Sequence, residues 1–496
     1  MARMLSPLEL LHPDGASEIS LVLGSACPAS LRPGVGAPFS SGLLDLIIVA
    51  PTRSELRTRG WILRAARVVS EALAEDGVVY VLAPRGWRAR TVRALSSQGL
   101  AVGASFAHLP NLDVSRYLVP LATDPASYAF SSVIAIKTWK RRLTLLVLSR
   151  SRGRQLLARC LPAIGFAMRR TGARPLFDWV FKLDGGASID TTAVVTTSWR
   201  RAKSSFVLHR FSGDGAGPTA VAKIGRPSPI TGDRIGEAKI LGRLAPGVSR
   251  AGAEAPELLV ATRRNGRPLM LESVVPGRSA AVILSEAPQQ LSDVWLRVSE
   301  WLQRWNCQSL EAKPLTEDRL ASEVIGPAKL LAHLFEGGDR YAERLEEQCA
   351  RLVGESVPFT AAHNDLTMAN LLFDEGGRLG VVDWESARED SLPLMDFYYA
   401  MVDAASAANR YADRPQAFRD CFTSAGRNAP AVDHLEGRLR RALGLSTSIA
   451  ELGFHACWLH HAANEDRMDP SASRPFLSIL RCVASDRFSR LPEISR

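Results

Sequence analysis

Four polar residues at short intervals stand out in the stretch HNDLTMANLLFDEGGRLGVVDWESA, which runs from His363 to Ala387. They are His363, Asp365, Asn370 and Asp383, set among apolar residues. LLFD (Leu371–Asp374) and RLGVVD (Arg378–Asp383) read as short apolar strands, and the Glu-Gly-Gly between them is a hairpin signal. Such a hairpin returns Asp383 towards the loop that holds Asp365 and Asn370. Two side-chain oxygens, from Asn370 and Asp383, suit Mg²⁺, which prefers hard oxygen ligands and keeps waters and phosphates of its own. Asp365 is left to accept a proton from an attacking hydroxyl. A base beside a magnesium site is the equipment of phosphoryl transfer, where catalysis is mostly positioning and charge neutralisation.

The elements around this stretch must supply the phosphate contacts. SSFVLHRF (Ser204–Phe211) and TAVAKIGR (Thr219–Arg226) read as strands joined by SGDGAGP. Lys223 lies between apolar neighbours on the second. A lysine buried without an anion is costly, so it either faces solvent or has a partner. A helix over DRIGEAKILGRLA (Asp233–Ala245) follows and places Glu237 fourteen positions beyond the lysine. APELLVAT and GRPLMLESVVPG are two further strand candidates. Taken alone, Lys223 reads as an exposed strand position. With Glu237 and the later loop it reads as a phosphate clamp with its partner.

The spacing H-x-D-x-x-x-x-N, with Asp383 thirteen residues beyond Asn370, matches the kinase catalytic loop and its metal-binding aspartate. The order His-x-Asp-x-x-x-x-Asn, two strands, then Val-Asp-Trp-Glu resembles the aminoglycoside phosphotransferase and choline kinase group, over about residues 190–490. That group also tends to carry an aspartate some ten residues further on, and DSLPLMDFYYA offers Asp390 and Asp396. The resemblance implies ATP and Mg²⁺ as cofactors, Asp365 as base, and Asn370 and Asp383 as metal ligands. It implies Lys223 as phosphate clamp, Glu237 as its partner, and LESVVPG (Leu271–Gly277), with Glu272 and Val274, as the hinge that receives adenine. His363 belongs to the catalytic loop and ties it down. Asn364 stands where the group usually has glycine. The phosphate loop would fall at TTSWRRAKSS (Thr196–Ser205), which contains no glycine. The implied substrate is a small hydroxylated molecule: a sugar, an amino sugar or an amino alcohol. A basic chain favours a neutral or anionic acceptor within that class. The competing reading is a pseudokinase, a nucleotide-binding scaffold that recruits a partner or a membrane.

The first half has a different rhythm. ISLVLG (Ile19–Gly24), LLDLIIVAP (Leu43–Pro51) and VVYVLAPRG (Val78–Gly86) read as buried parallel strands. Helices are expected over Gly60–Gly77 and Trp87–Leu100. This rhythm resembles the back half of a class I methyltransferase, closed by two strands. The front half departs from that pattern, because SACPASLRPGVGAPFSSG has no Gly-x-Gly-x-Gly turn entering a helix. Residues 1–175 are therefore expected to be an incomplete Rossmann-like α/β domain without catalysis. A boundary near 176–190 separates them from an α+β bilobal protein kinase-like fold, with an N-lobe over 190–280 and a helical C-lobe over 281–496. SDVWLRVSEWLQRWNCQSL (Ser292–Leu310) and LGFHACWLHHAANEDR (Leu452–Arg467) are helices of that C-lobe. Trp295, Trp301 and Trp305 read as core. His455, His460 and His461 are candidates for the wall of the substrate cleft.

Bulk composition constrains location and partners. The chain has 496 residues, 46% hydrophobic and 23% charged, as expected for a globular protein of two or three domains. Seven scattered cysteines with no CxxC pair fit a reducing compartment, and no apolar run reaches membrane-spanning length. A cytoplasmic protein is expected. The net charge is +10, and Lys137–Lys182 contains twelve basic residues against one acid. No nucleic-acid partner is expected. The segment 137–182 is a candidate for peripheral membrane contact.

Overall fold

The structure, a computed structural model, describes residues 10–11, 21–26, 43–109, 117–129, 164–185, 192–197, 206–212, 217–225, 234–264, 266–308, 310–468 and 474–485. These fall into two compact units: residues 1–235 with 258–274, and residues 236–257 with 275–496.

The first unit is built on one eleven-stranded sheet. Its elements in chain order are β1 (Leu21–Leu23), β2 (Leu44–Val49), α1 (Arg53–Arg57), α2 (Trp61–Ala72), β3 (Leu73–Val81), α3 (Arg88–Ser96), β4 (Leu100–Leu109), β5 (Tyr117–Pro120), α4 (Thr123–Tyr128), β6 (Ile164–Arg170), α5 (Asp178–Phe181), β7 (Thr192–Thr197), β8 (Phe206–Phe211) and β9 (Ala220–Ile224). Helix α6 (Arg234–Arg250) and strand β10 (Ala253–Glu254) follow, and β11 (Leu258–Arg264) and β12 (Arg267–Glu272) complete the sheet. The strand order is β1-β2-β3-β6-β4-β5-β7-β8-β9-β12-β11. The first three strands are parallel, as continuous apolar runs such as LDLIIV require. Strand β6 is inserted antiparallel between β3 and β4.

Two sequence expectations are corrected here. Helix α2 stops at Ala72 and not near Gly77, and Leu73 is already extended. The Arg170 guanidinium, from β6, donates to the Ser70 and Leu73 carbonyls at that helix end, while Leu73 pairs with Leu44. A cap about a hundred residues away in sequence thus ends the helix. The expected boundary near 176–190 is also crossed by the sheet: Tyr117 and Leu118 of β5 pair with Thr196 and Val195 of β7. Most of the basic segment, residues 137–163, and most of the expected phosphate loop, residues 198–205, lie outside the described residues. Within the described part, Arg174 pairs with Asp76 and Lys182 with Asp178.

The second unit is mainly helical. It continues with β13 (Arg278–Ser279), α7 (Ala280–Glu286), α8 (Leu291–Gln308), β14 (Glu311–Pro314), α9 (Glu317–Leu320), α10 (Gly326–Ala332), α11 (Gly338–Leu352), β15 (Ser356–Ala362), β16 (Leu371–Phe373), β17 (Leu379–Val381), β18 (Arg388–Ser391), α12 (Met395–Ala408), α13 (Arg414–Phe422), α14 (Ala429–Leu443), α15 (Thr447–Met468) and α16 (Pro475–Ala484). The core is aromatic. Trp301 and Trp305 stack with centroids 5.0 Å apart, and Trp305 meets Trp384 edge-on at 5.8 Å. The α8 tryptophans are core residues, as their helical spacing suggests. Helix α12 is buried along almost its whole length, and this helix supports the functional loop. Among the described residues no helix is long and apolar enough to cross a membrane.

Candidate active site

The hairpin at the centre of the sequence motif forms in the expected register. Leu371 pairs with Val381 and Phe373 with Leu379, and the Val382 amide donates to the Asn370 carbonyl at 3.0 Å. Asn370 and Asp383 therefore leave the same end of the ribbon. Asp383 sits in the left-handed region with φ 69°, a conformation that aspartate tolerates better than most residues.

The loop before the hairpin is held from below. Asp396, in the first turn of α12, accepts the His363 amide at 2.6 Å and the Asn364 amide at 2.8 Å. Of the two aspartates noted beyond the hairpin, Asp396 touches the loop, whereas Asp390 pairs with Arg319. Asn364 has φ 58°, which accounts for glycine as the usual residue at this position. Asparagine is accommodated because its amide donates to the Ser386 carbonyl at 3.2 Å. The His363 ring is fully buried, lies 3.0 Å from the Val382 carbonyl through Nε2, and packs edge-on against Trp384. With a carbonyl as its partner, Nε2 must carry the proton. His363 thus clamps the loop to the end of β17.

Asp403 is a support that the sequence reading missed. It lies on α12 seven residues beyond Asp396, on the same helix face. Its carboxylate accepts the Met368 amide at 2.7 Å, while Arg414 donates to its other oxygen at 2.7 Å. The Met368 carbonyl accepts from Ala281 at 2.9 Å, so the loop is pinned on both sides of that peptide. The available signal was an acid in the apolar run FYYAMVDAASAA.

The loop gathers negative charge. Burial, and then the neighbouring Asp383, Asp403, Glu385 and Asp396 carboxylates, push the Asp365 carboxyl up to about 7. Asp365 also receives the Asn370 side-chain amide on its backbone carbonyl at 2.9 Å, which closes the turn. On α15, His461 stacks on Tyr399 at 3.7 Å and His460 lies against the Asn364 backbone. Burial pushes His460 down to about 4, so it stays neutral near pH 7. His455 lies elsewhere, hydrogen-bonded to Tyr341 at 2.9 Å.

The nucleotide-side candidates are in the first unit, except Glu237. Lys223 on β9 is buried, with its ammonium 3.4 Å from the buried Glu272 carboxylate on β12. The adjacent register of the two strands, Lys223 opposite Met270, sets up this pair. Glu272 is thus an anion for the lysine, the partner that burial demands. Val274 is half-buried just beyond β12, and Glu237 is buried in the first turn of α6.

The sequence profile of the phosphotransferase enzyme family matches residues 186–434, half of the 496-residue chain. The chain belongs to this family. It is a small-molecule phosphotransferase with a kinase-like fold. No curated protein matches it. Among solved structures it is similar to the aminoglycoside phosphotransferase APH(3'')-Id from Streptomyces rimosus, with 15% identity, 57% of this chain and 96% of that chain covered, and a TM-score of 0.34. It is also similar to a putative fructosamine-3-kinase from Haemophilus somnus, with 10% identity, 56% and 86% covered, and a TM-score of 0.34.

The donor set of this phosphotransferase fits Mg²⁺. Among the described residues no three His, Cys, Asp or Glu side chains form a ready-made cage. Magnesium does not need one, since it binds through one or two side chains and keeps waters and phosphates. Asn370 and Asp383 provide oxygens at one ribbon end. The carboxylates crowded around Asp365 give the local negative charge that a divalent cation offsets.

Proposed function

We propose that the protein is an ATP- and Mg²⁺-dependent O-phosphotransferase acting on a hydroxyl of a sugar, amino sugar or amino alcohol. The reading rests above all on the pinned loop: Asp365 and Asn370 lie in a turn whose His363, Asn364 and Met368 amides are held by Asp396 and Asp403, and the hairpin returns Asp383 to the Asn370 end. In the reaction, the acceptor oxygen forms a bond to the γ-phosphorus, the bond to the β–γ bridging oxygen breaks, and ADP leaves. Asp365 takes the hydroxyl proton. Lys223 holds the phosphates, with Glu237 and Glu272 as its candidate anions, and the segment from Glu272 to Val274 receives adenine. Asn370 and Asp383 would hold Mg²⁺, which when bound supplies charge neutralisation on the phosphates. His363 is a positioning residue.

The test is phosphate transfer from ATP to a panel of sugars, amino sugars and amino alcohols, followed by mass. Phosphorylated product from the wild type and none from Asp365→Ala supports the reading. Equal silence from both, with nucleotide still bound, favours the scaffold alternative.

Residues 1–175 are proposed to be non-catalytic. The Glu55 carboxylate accepts the Thr52 amide at 2.6 Å and the Ser25 amide at 3.3 Å, so it engages the turns that follow β1 and β2. Open α/β sheets bind ligands at that carboxyl end. Calorimetric titration of the full chain with S-adenosylmethionine should give no heat of binding.

A further inference from the structure

Helices α2 and α3 lie side by side on one face of the first unit's sheet. Ala66 and Val69 of α2 and Leu95 of α3 bury into a single cluster with Ile47, Val49, Val79 and Val81 of β2 and β3. Their opposite sides form a common outer surface. Arg64 of α2 and Arg90 and Arg93 of α3 are exposed on it. Arg59 joins them, because its carbonyl accepts the Arg64 guanidinium at 3.2 Å. The short helix α1, which leads into α2, adds Arg53 and Arg57, four residues apart and both exposed.

We propose that this outer face of α1, α2 and α3 docks on an anionic phospholipid surface.

Unbalanced charge is the first argument. Among the described residues none of these six arginines has an ion-pair partner. The acids of the three helices are already engaged: Glu55 accepts the Thr52 and Ser25 amides, and Glu71 pairs with Arg67 at 2.8 Å. From Pro84 to Leu100 the sequence has no acid at all. Exposed arginines of the second unit differ. Arg243, Arg278, Arg297 and Arg427 each meet a carboxylate, at 2.7, 2.6, 2.9 and 2.8 Å. Unpaired cations gathered on one surface attract a dense array of negative charge.

The second argument decides between lipid and nucleic acid. Leu63 and Val68 flank Arg64 and Arg67 on the solvent side of α2, and they are 65% and 40% exposed. A phosphodiester backbone gives these side chains no apolar partner. The boundary between lipid headgroups and acyl chains takes apolar side chains and guanidiniums together.

The course of the chain is the third. Strand β6 enters the sheet at the end of β3 from which α3 departs, since Val81 pairs with Phe166. The chain arriving there, residues 130–163, lies outside the described residues. It contains eight Lys and Arg, no acid, and apolar runs such as LTLLVL. A segment of that composition cannot neutralise the arginine face, and it favours the same anionic, partly apolar surroundings.

Co-sedimentation of the full chain with vesicles tests the contact. The protein should pellet with phosphatidylcholine vesicles that contain phosphatidylglycerol, stay in solution with pure phosphatidylcholine, and be released by about 1 M salt. Arg64→Glu/Arg93→Glu should weaken binding about tenfold or more, and Arg64→Gln/Arg93→Gln in the same direction, with thermal midpoints within a few degrees of wild type. Leu63→Asn should weaken it about threefold or more. Arg243→Glu, on the second unit, should bind like wild type. The proposal fails if anionic vesicles are not bound, or if both arginine pairs bind normally. Loss confined to Arg141→Glu/Arg142→Glu would assign the contact to residues 130–163 and overturn it. It also fails if Leu63→Asn binds vesicles like wild type; displacement from the vesicles by a duplex RNA would then name nucleic acid as the partner.

Discussion

Asp365 has to be ionised to accept a proton, and its surroundings resist ionisation. With the carboxyl pushed up to about 7, activity should rise as pH increases through about 7 and level off above it, as a pH–rate profile will show. The stability consequence has the opposite sign. A folded-state value above the unfolded one stabilises the protein at low pH, and that contribution disappears as pH rises from about 4 through about 7. Asp365→Asn should therefore abolish transfer, by at least roughly 10²-fold, yet raise the unfolding free energy at pH 8 by roughly 1–3 kcal/mol. Denaturant titration at pH 5 and pH 8 checks the second half. At Asn364, where φ is 58°, glycine should be tolerated at a cost below about 1 kcal/mol, while Asn364→Val should cost at least about 2 kcal/mol.

Helix α12 is the element on which the loop depends. It is placed by a close approach: the Gly453 position on α15 lies so near Pro393 that a Cβ would come within 2.3 Å of its carbonyl. Two carboxylates then leave α12 towards the loop, and each is buried against backbone amides. Removing either leaves those amides without an acceptor. Asp396→Ala and Asp403→Ala should each destabilise the protein by roughly 2–4 kcal/mol in chemical denaturation. Asp403→Ala also strands the half-buried Arg414, which packs over Phe476 at 4.8 Å. On α14, Gly437→Ala should instead stabilise by roughly 0.5–1 kcal/mol, read as a rise in thermal midpoint.

The sheet of the first unit runs from β1 to β11 without a break, so the kinase-like strands have no free edge at β7. Strand β5 occupies that edge, and α4 adds Tyr128, whose ring meets Phe211 of β8 at 5.5 Å. Deleting residues 1–185 would expose the backbone groups of β7 and the apolar face beside it. The remaining chain should aggregate on size-exclusion chromatography, although it retains the whole length matched by the family profile. Aggregation of the deletion variant would make the N-terminal part a structural requirement of the kinase-like sheet.

Local spacing alone was enough for the hairpin that carries the motif. A hairpin with a Glu-Gly-Gly turn has a defined register, so the return of Asp383 to Asn370 follows from the residues between them. The parallel strands β1–β3 and the core tryptophans of α8 were legible for the same reason, since hydrophobic period reports which faces are buried. Tertiary structure decided what depends on partners far along the chain. The end of α2 depends on Arg170, the acid beside Lys223 depends on the pairing of β9 with β12, and the second loop anchor depends on where α12 passes. An acid in an apolar helix has no visible partner in sequence; only packing shows that Asp403 holds a loop amide. The continuous sheet is likewise invisible locally, because an edge strand and a paired strand have the same sequence signature until the neighbour arrives.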